Sequence, residues 1–197
     1  MDHVTVAQQA EHTEVIKGSR FIGIVAPVSS EDEAQQLLAT ARAAHPDATH
    51  HCSAWRIGEV MRFSDDGEPG GTAGRPMLEV ILRRDLQNVA AVVVRYFGGT
   101  RLGAGGLVRA YSGTVARALD VAGTQQVLAL GRLWVTVPFA LVDSVLRFVQ
   151  DEADLNTLSS DYSDQGLELE LEMPLGQLDG FEARLRDHTR DQVEIRL

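Results

Sequence analysis

A glycine- and arginine-rich stretch in the middle of the chain has the residue types of an anion-binding loop. Residues 95–111 read RYFGGTRLGAGGLVRAY and contain five glycines and three arginines but no acidic residue. Glycine lets a ligand approach the backbone closely, and free N–H groups at a helix start carry partial positive charge. Arginine adds bidentate hydrogen bonds to phosphate or carboxylate. The candidate ligand-binding residues are Arg95, Tyr96, Gly98, Gly99, Arg101, Gly103, Gly105, Gly106 and Arg109.

Two familiar phosphate-binding loops are excluded by single residues of this stretch. Gly98 and Gly103 have the separation of a Walker A loop, but Ala104 and Gly105 stand where Lys and Ser or Thr are required. A dinucleotide-binding fingerprint needs a third small residue where Val108 stands. A generic anion site remains. The alternative is that the glycines allow a helix to pack tightly on a sheet while the arginines are merely solvated.

A second glycine-rich loop covers residues 64–76 and reads SDDGEPGGTAGRP. Its carboxylates are the kind of ligand that Mg²⁺ and Ca²⁺ prefer, but their spacing does not match an EF-hand. They can instead pair with the arginines of the first loop, which we favour over a metal site, or form a solvated turn. We therefore expect no bound metal or cofactor. If a metal did bind, its ligands would be Asp65, Asp66 and Glu68. The expected supporting residues are Asp65, Asp66, Glu68, Gly70, Gly71 and Thr72.

The adjacent His50, His51 and Cys52 resemble a soft-metal cluster at first sight. Neighbours on a strand point to opposite faces, so only His50 and Cys52 can share a side, and no second pair of ligands follows. A nucleophilic Cys52 with a histidine base stays open as an alternative, although nothing marks a third group to orient the base. We favour a structural interpretation of these residues, and of Trp55 and Trp134.

The net charge of −10 argues against general nucleic-acid binding, but the charge is unevenly distributed. Residues 132–197 hold 14 acidic and 6 basic residues, whereas residues 1–131 hold 14 acidic and 12 basic residues. Within the first part, residues 86–119 carry four arginines and no acid. This pattern indicates a localised site for an anion or for a partner.

The expected compartment is the cytoplasm. The longest notable apolar run, residues 89–94, is far shorter than the roughly 20 residues of a membrane span. The start of the chain lacks the basic and apolar regions of a secretory signal, and a single cysteine fits a reducing compartment. We expect no membrane association, and the sequence leaves the oligomeric state open.

Hydrophobic periodicity and turn residues predict two domains of an α/β (α+β) fold. For residues 1–131 they predict strands within 14–28 and at 50–56, 60–64, 89–95 and 125–130, and helices at 31–45, 73–84 and 104–121. For residues 132–197 they predict a β-α-β-β-α-β order, which is the ferredoxin-like arrangement. Its elements are strand 133–137, helix 139–152, strands 155–161 and 166–173, helix 175–189 and strand 192–197.

Four motifs in fixed order closely resemble the IMPACT family, whose bacterial members are of the YigZ type. They are GSRFIGIVAPV at 18–28, THHCSAW at 49–55, RFSDDGEPGGTAGRP at 62–76 and VVVRYFGGTRLGAGGLVRAY at 92–111. The resemblance implies an N-terminal domain like the second domain of ribosomal protein S-five. It also implies a ferredoxin-like domain similar to one in translocation elongation factors.

The resemblance further implies a role linked to translation or nucleic acid. The family's eukaryotic relatives are implied to compete for the activator of a starvation-sensing kinase that phosphorylates an initiation factor, and that partner system is absent from bacteria. We therefore expect a non-enzymatic regulator that docks RNA, the ribosome or a translation factor on Arg95, Arg101 and Arg109. One alternative is a metal-assisted hydrolase that uses the carboxylates of the second loop. Another is a protein-interaction module that uses the acidic face of the C-terminal sheet.

Overall fold

The computed structural model describes residues 2–197. It divides into two compact units, His3–Val127 and Leu128–Leu197, the second of which includes Asp2. The strands are β1 (His3–Val6), β2 (Ala10–Ile16), β3 (Ser19–Pro27), β4 (His50–Ile57), β5 (Val60–Ser64), β6 (Val89–Tyr96), β7 (Thr124–Val127), β8 (Leu130–Val137), β9 (Asn156–Tyr162), β10 (Leu167–Pro174) and β11 (Glu194–Arg196). The α-helices are α1 (Glu31–Ala44), α2 (Gly74–Arg83), α3 (Ala104–Ala122), α4 (Val142–Gln150) and α5 (Leu178–Thr189).

The first unit is built on a five-stranded antiparallel sheet in the order β2-β3-β6-β4-β5. The apolar run predicted as a buried strand is its central strand, β6. In this strand Ala91 and Val93 pack with residues of α2 and α3, whereas Val92 and Val94 pack with residues of α1. Helices therefore cover both faces of β6, which is why the strand is continuously apolar up to Arg95.

Two of the helices begin in different ways. At α1 the Ser30 half of the predicted capping box is present, since the Ser30 hydroxyl accepts a hydrogen bond from the Glu33 N–H at 3.3 Å. The Glu33 carboxylate accepts in turn from the Ser29 N–H at 2.7 Å. At α3 the residue before the helix is Gly103, which has a φ of 73° and no side chain with which to cap the first turn.

A small two-stranded sheet was not predicted from the sequence. In it β1 pairs antiparallel with β7. Strand β1 has four residues, which is too short for a clear alternation of apolar and polar side chains. The predicted strand at 125–130 is divided in the structure, because β7 ends at Val127 and β8 begins at Leu130.

The second unit has the predicted β-α-β-β-α-β order. Its antiparallel sheet runs β11-β8-β10-β9, with α4 and α5 contributing to the core beneath one face. On the other face Arg132 donates hydrogen bonds to Glu170 at 3.1 Å and to Glu172 at 3.2 Å, so part of the acidic charge is neutralised. The predicted α+β class is confirmed. Within the described part of the chain, the helices lack the length and apolar character that crossing a membrane requires.

Candidate functional site

The predicted anion loop connects the end of β6 to the start of α3. Successive strand residues point to opposite faces of a sheet. The structure accordingly separates two of the predicted site residues, Arg95 and Tyr96. Arg95 lies on the face covered by α2 and α3, whereas the Tyr96 hydroxyl is 2.9 Å from Nδ1 of His45 at the end of α1. Tyr96 also stacks with Arg20, whose guanidinium carbon is 4.1 Å from the ring centroid.

Arg95 is buried, which differs from the exposed docking residue that we expected. Its Nη1 donates to Oε1 of Glu68, and its Nη2 donates to the hydroxyl of Ser19 at 3.3 Å. Its guanidinium carbon lies 5.3 Å from the ring centroid of Phe21 and 5.5 Å from that of Phe97. Arg95 therefore joins β6, β3 and the loop of residues 64–76, and its charge is matched by a carboxylate inside the protein.

Glu68 is the buried partner of this arginine. Its Oε1 also accepts a hydrogen bond from the Tyr111 hydroxyl at 2.6 Å, and its Oε2 lies 3.9 Å from Nε2 of His50. Burial is the main cause that raises the pKa of Tyr111 above its ordinary value, so the phenol remains a neutral donor. Burial likewise raises the pKa of Cys52 to about 12.

The other two carboxylates of the second loop are also engaged by the protein. Asp65 accepts hydrogen bonds from the N–H groups of Gly71, Ala73 and Gly74, at 2.7, 3.0 and 2.8 Å, and so satisfies free donors at the start of α2. Asp66 accepts from the Arg42 guanidinium at 3.0 Å and from the His51 N–H at 2.6 Å. Among residues 2–197, no group of three or more His, Cys, Asp or Glu side chains is placed to hold a metal ion.

The remaining residues of that loop shape the backbone. The Thr72 hydroxyl donates to the carbonyl of Pro69 at 2.6 Å. Gly71 has a φ of 76°, whereas Gly70 has open space where a side chain would be. These residues hold the loop in the form that places Glu68 beside Arg95.

The glycines of the first loop have different functions in the structure. A side chain at Gly98 would overlap the backbone of Gly18, so Gly98 lets the loop pack against the β2–β3 turn. Gly99 and Gly103 have φ angles of 85° and 73°, which favour glycine. At Gly105 an added Cβ would lie 3.5 Å from Nη1 of Arg109. The Arg109 guanidinium is therefore beside the first turn of α3.

The start of α3 combines free N–H groups with exposed cations. The first N–H groups of any helix have no intrahelical acceptor, and in the described chain this helix has neither a side-chain cap nor an acidic residue in its first turn. Arg101 and Arg109 are exposed on either side of it. Within residues 2–197 the side chains of these two arginines form no hydrogen bond or ion pair with another residue, and the same is true of the Lys17 side chain. We call Lys17, Arg101 and Arg109 the basic surface.

Two depressions adjoin the start of α3. The first has a volume of about 240 Å³ and is lined by Glu68, Pro69, Arg95, Phe97, Arg101, Leu102, Gly103, Ala104 and Leu107. The second has a volume of about 310 Å³ and is lined by Glu14, Ile16, Lys17, Leu102, Gly106, Arg109, Ala110, Gly113 and Arg117. Arg117 bonds both oxygens of Glu14, at 2.7 and 2.8 Å, so among the described residues the free cations of the second depression are Lys17 and Arg109.

Sequence reasoning missed Phe97 and Lys17. Phe97 lies in the loop itself and is 48% exposed, and an aromatic residue between Tyr96 and a glycine pair was a usable signal. The sequence around Lys17 did not indicate a place in the site. Lys17 lies near the first loop because the β2–β3 turn packs against Gly98, which is far away in the chain.

Comparison with known proteins finds matches over most of the chain. Residues 17–119 match the family model described as the Impact N-terminal domain. The chain is 50% identical over 124 residues to the IMPACT family member YvyE of Bacillus subtilis, an alignment that covers 61% of this chain and 57% of that protein. It is 37% identical over 187 residues to the IMPACT family member YigZ of Escherichia coli, covering 92% and 91% of the two chains. A crystal structure of a hypothetical protein aligns with a TM-score of 0.70 at 35% identity, covering 98% of this chain and 96% of that one.

Proposed function

The chain belongs to the IMPACT family, and on that premise we propose that it is a non-enzymatic regulator that binds the phosphate backbone of RNA at the start of α3. The observation that carries the proposal is the basic surface itself. Three cations whose side chains are unpaired within residues 2–197 line the two depressions that adjoin an uncapped helix N-terminus, on a chain whose net charge is −10. Phosphate is one of the anions that helix N-termini and arginine side chains bind.

The charge balance around the first loop supports a binding site that contacts only a few phosphates. Of the four arginines in residues 86–119, Arg95 is matched by Glu68 and Arg117 by Glu14. Arg101 and Arg109 remain, and Lys17 joins them because the second depression brings it to the same surface as Arg109. A site with three phosphate contacts gives modest affinity and a modest dependence on salt.

RNA is favoured over an acidic protein because an exposed aromatic ring accompanies the cations. Phe97 lines the first depression together with Arg101. Proteins that bind single strands combine a positively charged path for the backbone with aromatic rings on which bases stack. Contact with RNA or with the ribosome agrees with the translation-linked role that the family resemblance implies.

The test is the binding of labelled single-stranded RNA to the wild type and to the double variant Arg101→Glu/Arg109→Glu, measured by fluorescence anisotropy over a range of KCl concentrations. With three phosphate contacts, the logarithm of the association constant should fall with the logarithm of salt with a slope of about −2. The double variant should bind at least about tenfold more weakly at low salt, with a slope of about −0.7. Arg95 is left intact in this experiment because its substitution would leave Glu68 buried and unpaired.

A matched control makes the same change of charge elsewhere on the first unit. Arg75 and Arg83 are exposed on α2 and line neither depression at the start of α3. Arg75→Glu/Arg83→Glu should therefore retain the affinity and salt slope of the wild type. If both double variants are folded and bind RNA and ribosomes as the wild type does, the proposed site is wrong.

A further inference from the structure

The depression of about 240 Å³ beside Arg101 differs in chemistry from the basic surface around it. Its walls include the apolar side chains of Phe97, Leu102 and Leu107, and its polar groups include the buried Glu68 and Arg95. Drug-sized ligands occupy pockets of roughly 300–1,000 Å³. This depression therefore fits one small ring system with a few polar atoms.

The polar groups of the depression have hydrogen-bonding capacity that the protein leaves unused. Nη1 and Nη2 of Arg95 have partners, but its Nε–H is buried and, among the described residues, bonds to nothing. A buried donor without an acceptor destabilises a protein, so such a group indicates a missing partner. On Glu68 both side-chain hydrogen bonds go to Oε1, and the ion-pair partner of Oε2 is His50 Nε2 at 3.9 Å.

The unused donor and the unused acceptor belong to two side chains that form an ion pair and line the same depression. The polar edges of nucleobases present hydrogen-bond acceptors and donors in the same way. Phe97, which is 48% exposed, offers a ring on which a base can stack. Arg101 lines the same depression and belongs to the basic surface, so it is a candidate partner for the phosphate of the nucleotide that carries the base.

We propose that this depression binds one unpaired nucleobase of the RNA strand whose phosphates contact the basic surface; this inference rests on the proposed function. The base stacks on Phe97, and its polar edge meets Arg95 and Glu68. Stacking does not distinguish bases strongly. The protein should therefore select unpaired over paired RNA more than one sequence over another.

The variant that tests the pocket is Ala104→Leu, which fills space without adding an aromatic ring on which a base could stack. Ala104 is the exposed first residue of α3 and lines the depression, so a larger side chain there fills the space and leaves Lys17, Arg101 and Arg109 unchanged. A second variant, Phe97→Leu, removes the stacking ring. Its matched control is Phe63→Leu, because Phe63 lies on β5 and is 50% exposed but does not line the depression.

The probes are an oligouridine and an oligomer of the same length in which the bases are absent, so that both carry the same phosphates. The wild type should bind the oligouridine about fivefold or more tightly than the abasic oligomer. Ala104→Leu and Phe97→Leu should lose this difference and keep the salt slope of about −2, whereas Phe63→Leu should keep both. Competition by free uridine monophosphate then shows whether the depression binds a free nucleotide or only a nucleotide within a strand. Displacement of the oligouridine by the monophosphate indicates that a free nucleotide binds.

Three results separate this inference from the proposed function. If the wild type binds both oligomers equally with the expected salt slope, the base pocket is wrong and backbone binding stands. If Ala104→Leu is folded and still prefers the oligouridine, the base is bound elsewhere and the inference is also wrong. If the wild type binds neither oligomer, the proposed function itself fails.

Discussion

At the scale of single residues, the most consequential groups are the buried polar side chains beneath the second loop. The Cys52 thiol donates to the carbonyl of Asp65 at 3.1 Å, and the Tyr111 hydroxyl donates to Glu68. Burial raises the pKa of both groups, to about 12 for Cys52. The thiolate is the nucleophilic form of cysteine, and it is scarce at neutral pH when the pKa is this high. The geometry therefore favours a structural role for Cys52.

The raised pKa of Cys52 predicts a loss of stability in alkaline solution. Between the ordinary pKa of 9.0 and about 12, the unfolded thiol has released its proton while the native thiol retains it. Unfolding in this range releases a proton, so the free energy of unfolding falls as the pH rises. Relative to Cys52→Ala, the wild type should lose up to about 1.4 kcal/mol per pH unit above pH 9.

Urea titrations at a series of pH values measure this difference. Both proteins retain Tyr111 and all the arginines, so the difference between them reports the thiol together with its coupling to Tyr111. Below pH 9 the two curves of stability against pH should run parallel. Curves that also remain parallel at higher pH would contradict the environment assigned to the thiol.

At the scale of elements, the contact between the first loop and the β2–β3 turn holds the basic surface together. Gly98 lies against the backbone of Gly18, and Lys17 is in the same turn. A Cβ at position 98 would overlap this backbone, so either the loop or the turn must move. The arrangement of Lys17 relative to Arg101 and Arg109 thus depends on a residue that has no side chain.

Gly98→Ala should therefore lower the free energy of unfolding by about 1–3 kcal/mol, because overpacking a close backbone contact forces local displacement. The matched control is Gly70→Ala, since Gly70 has open space around it and no positive φ. That substitution should change stability by less than about 0.5 kcal/mol. Equal effects of the two substitutions in chemical denaturation would show that the contact at Gly98 is unimportant.

At the scale of the whole molecule, the two units have separate hydrophobic cores. The cores of the first unit contain residues from Val6 to Ala122, and the core of the second contains residues from Leu133 to Val193. The structural division lies between Val127 and Leu128, a few residues before the domain boundary predicted at 131. We propose that the two units are domains, because each has a core of its own.

A fragment of residues 1–127 should accordingly fold alone. Far-ultraviolet circular dichroism should show its secondary structure, and heating should unfold it cooperatively. It keeps β7, which pairs with β1, and the whole of α3. A fragment that ends at residue 103 is the control. It lacks the α3 residues that fill the core, including Tyr111 and Val115, and should not unfold cooperatively. A disordered fragment 1–127 would contradict the domain proposal.

Much of the fold was predictable because its signals are local. The bounds of α1, β4, β5 and β6 follow from a capping box, from the turn at Gly58 and Glu59 and from an apolar run, each of which spans only a few residues. The short β1 and the pairing of β1 with β7 were not predictable in this way. Pairing of these strands depends on residues that are far apart in the chain, such as His3 and Val127.

The sequence by itself determined the element order, the α+β class and the family, and it located a stretch rich in arginine without acids. Only the tertiary structure decided which arginines are free. Arg95 looks identical to Arg101 within the motif, yet the covered face of β6 buries it against Glu68, 27 residues away in the chain. Burial and ion pairing depend on which surfaces meet after folding, and the spacing of residues along one loop does not predict those contacts. The basic surface in the structure therefore differs from the predicted docking site, because it excludes Arg95 and includes Lys17.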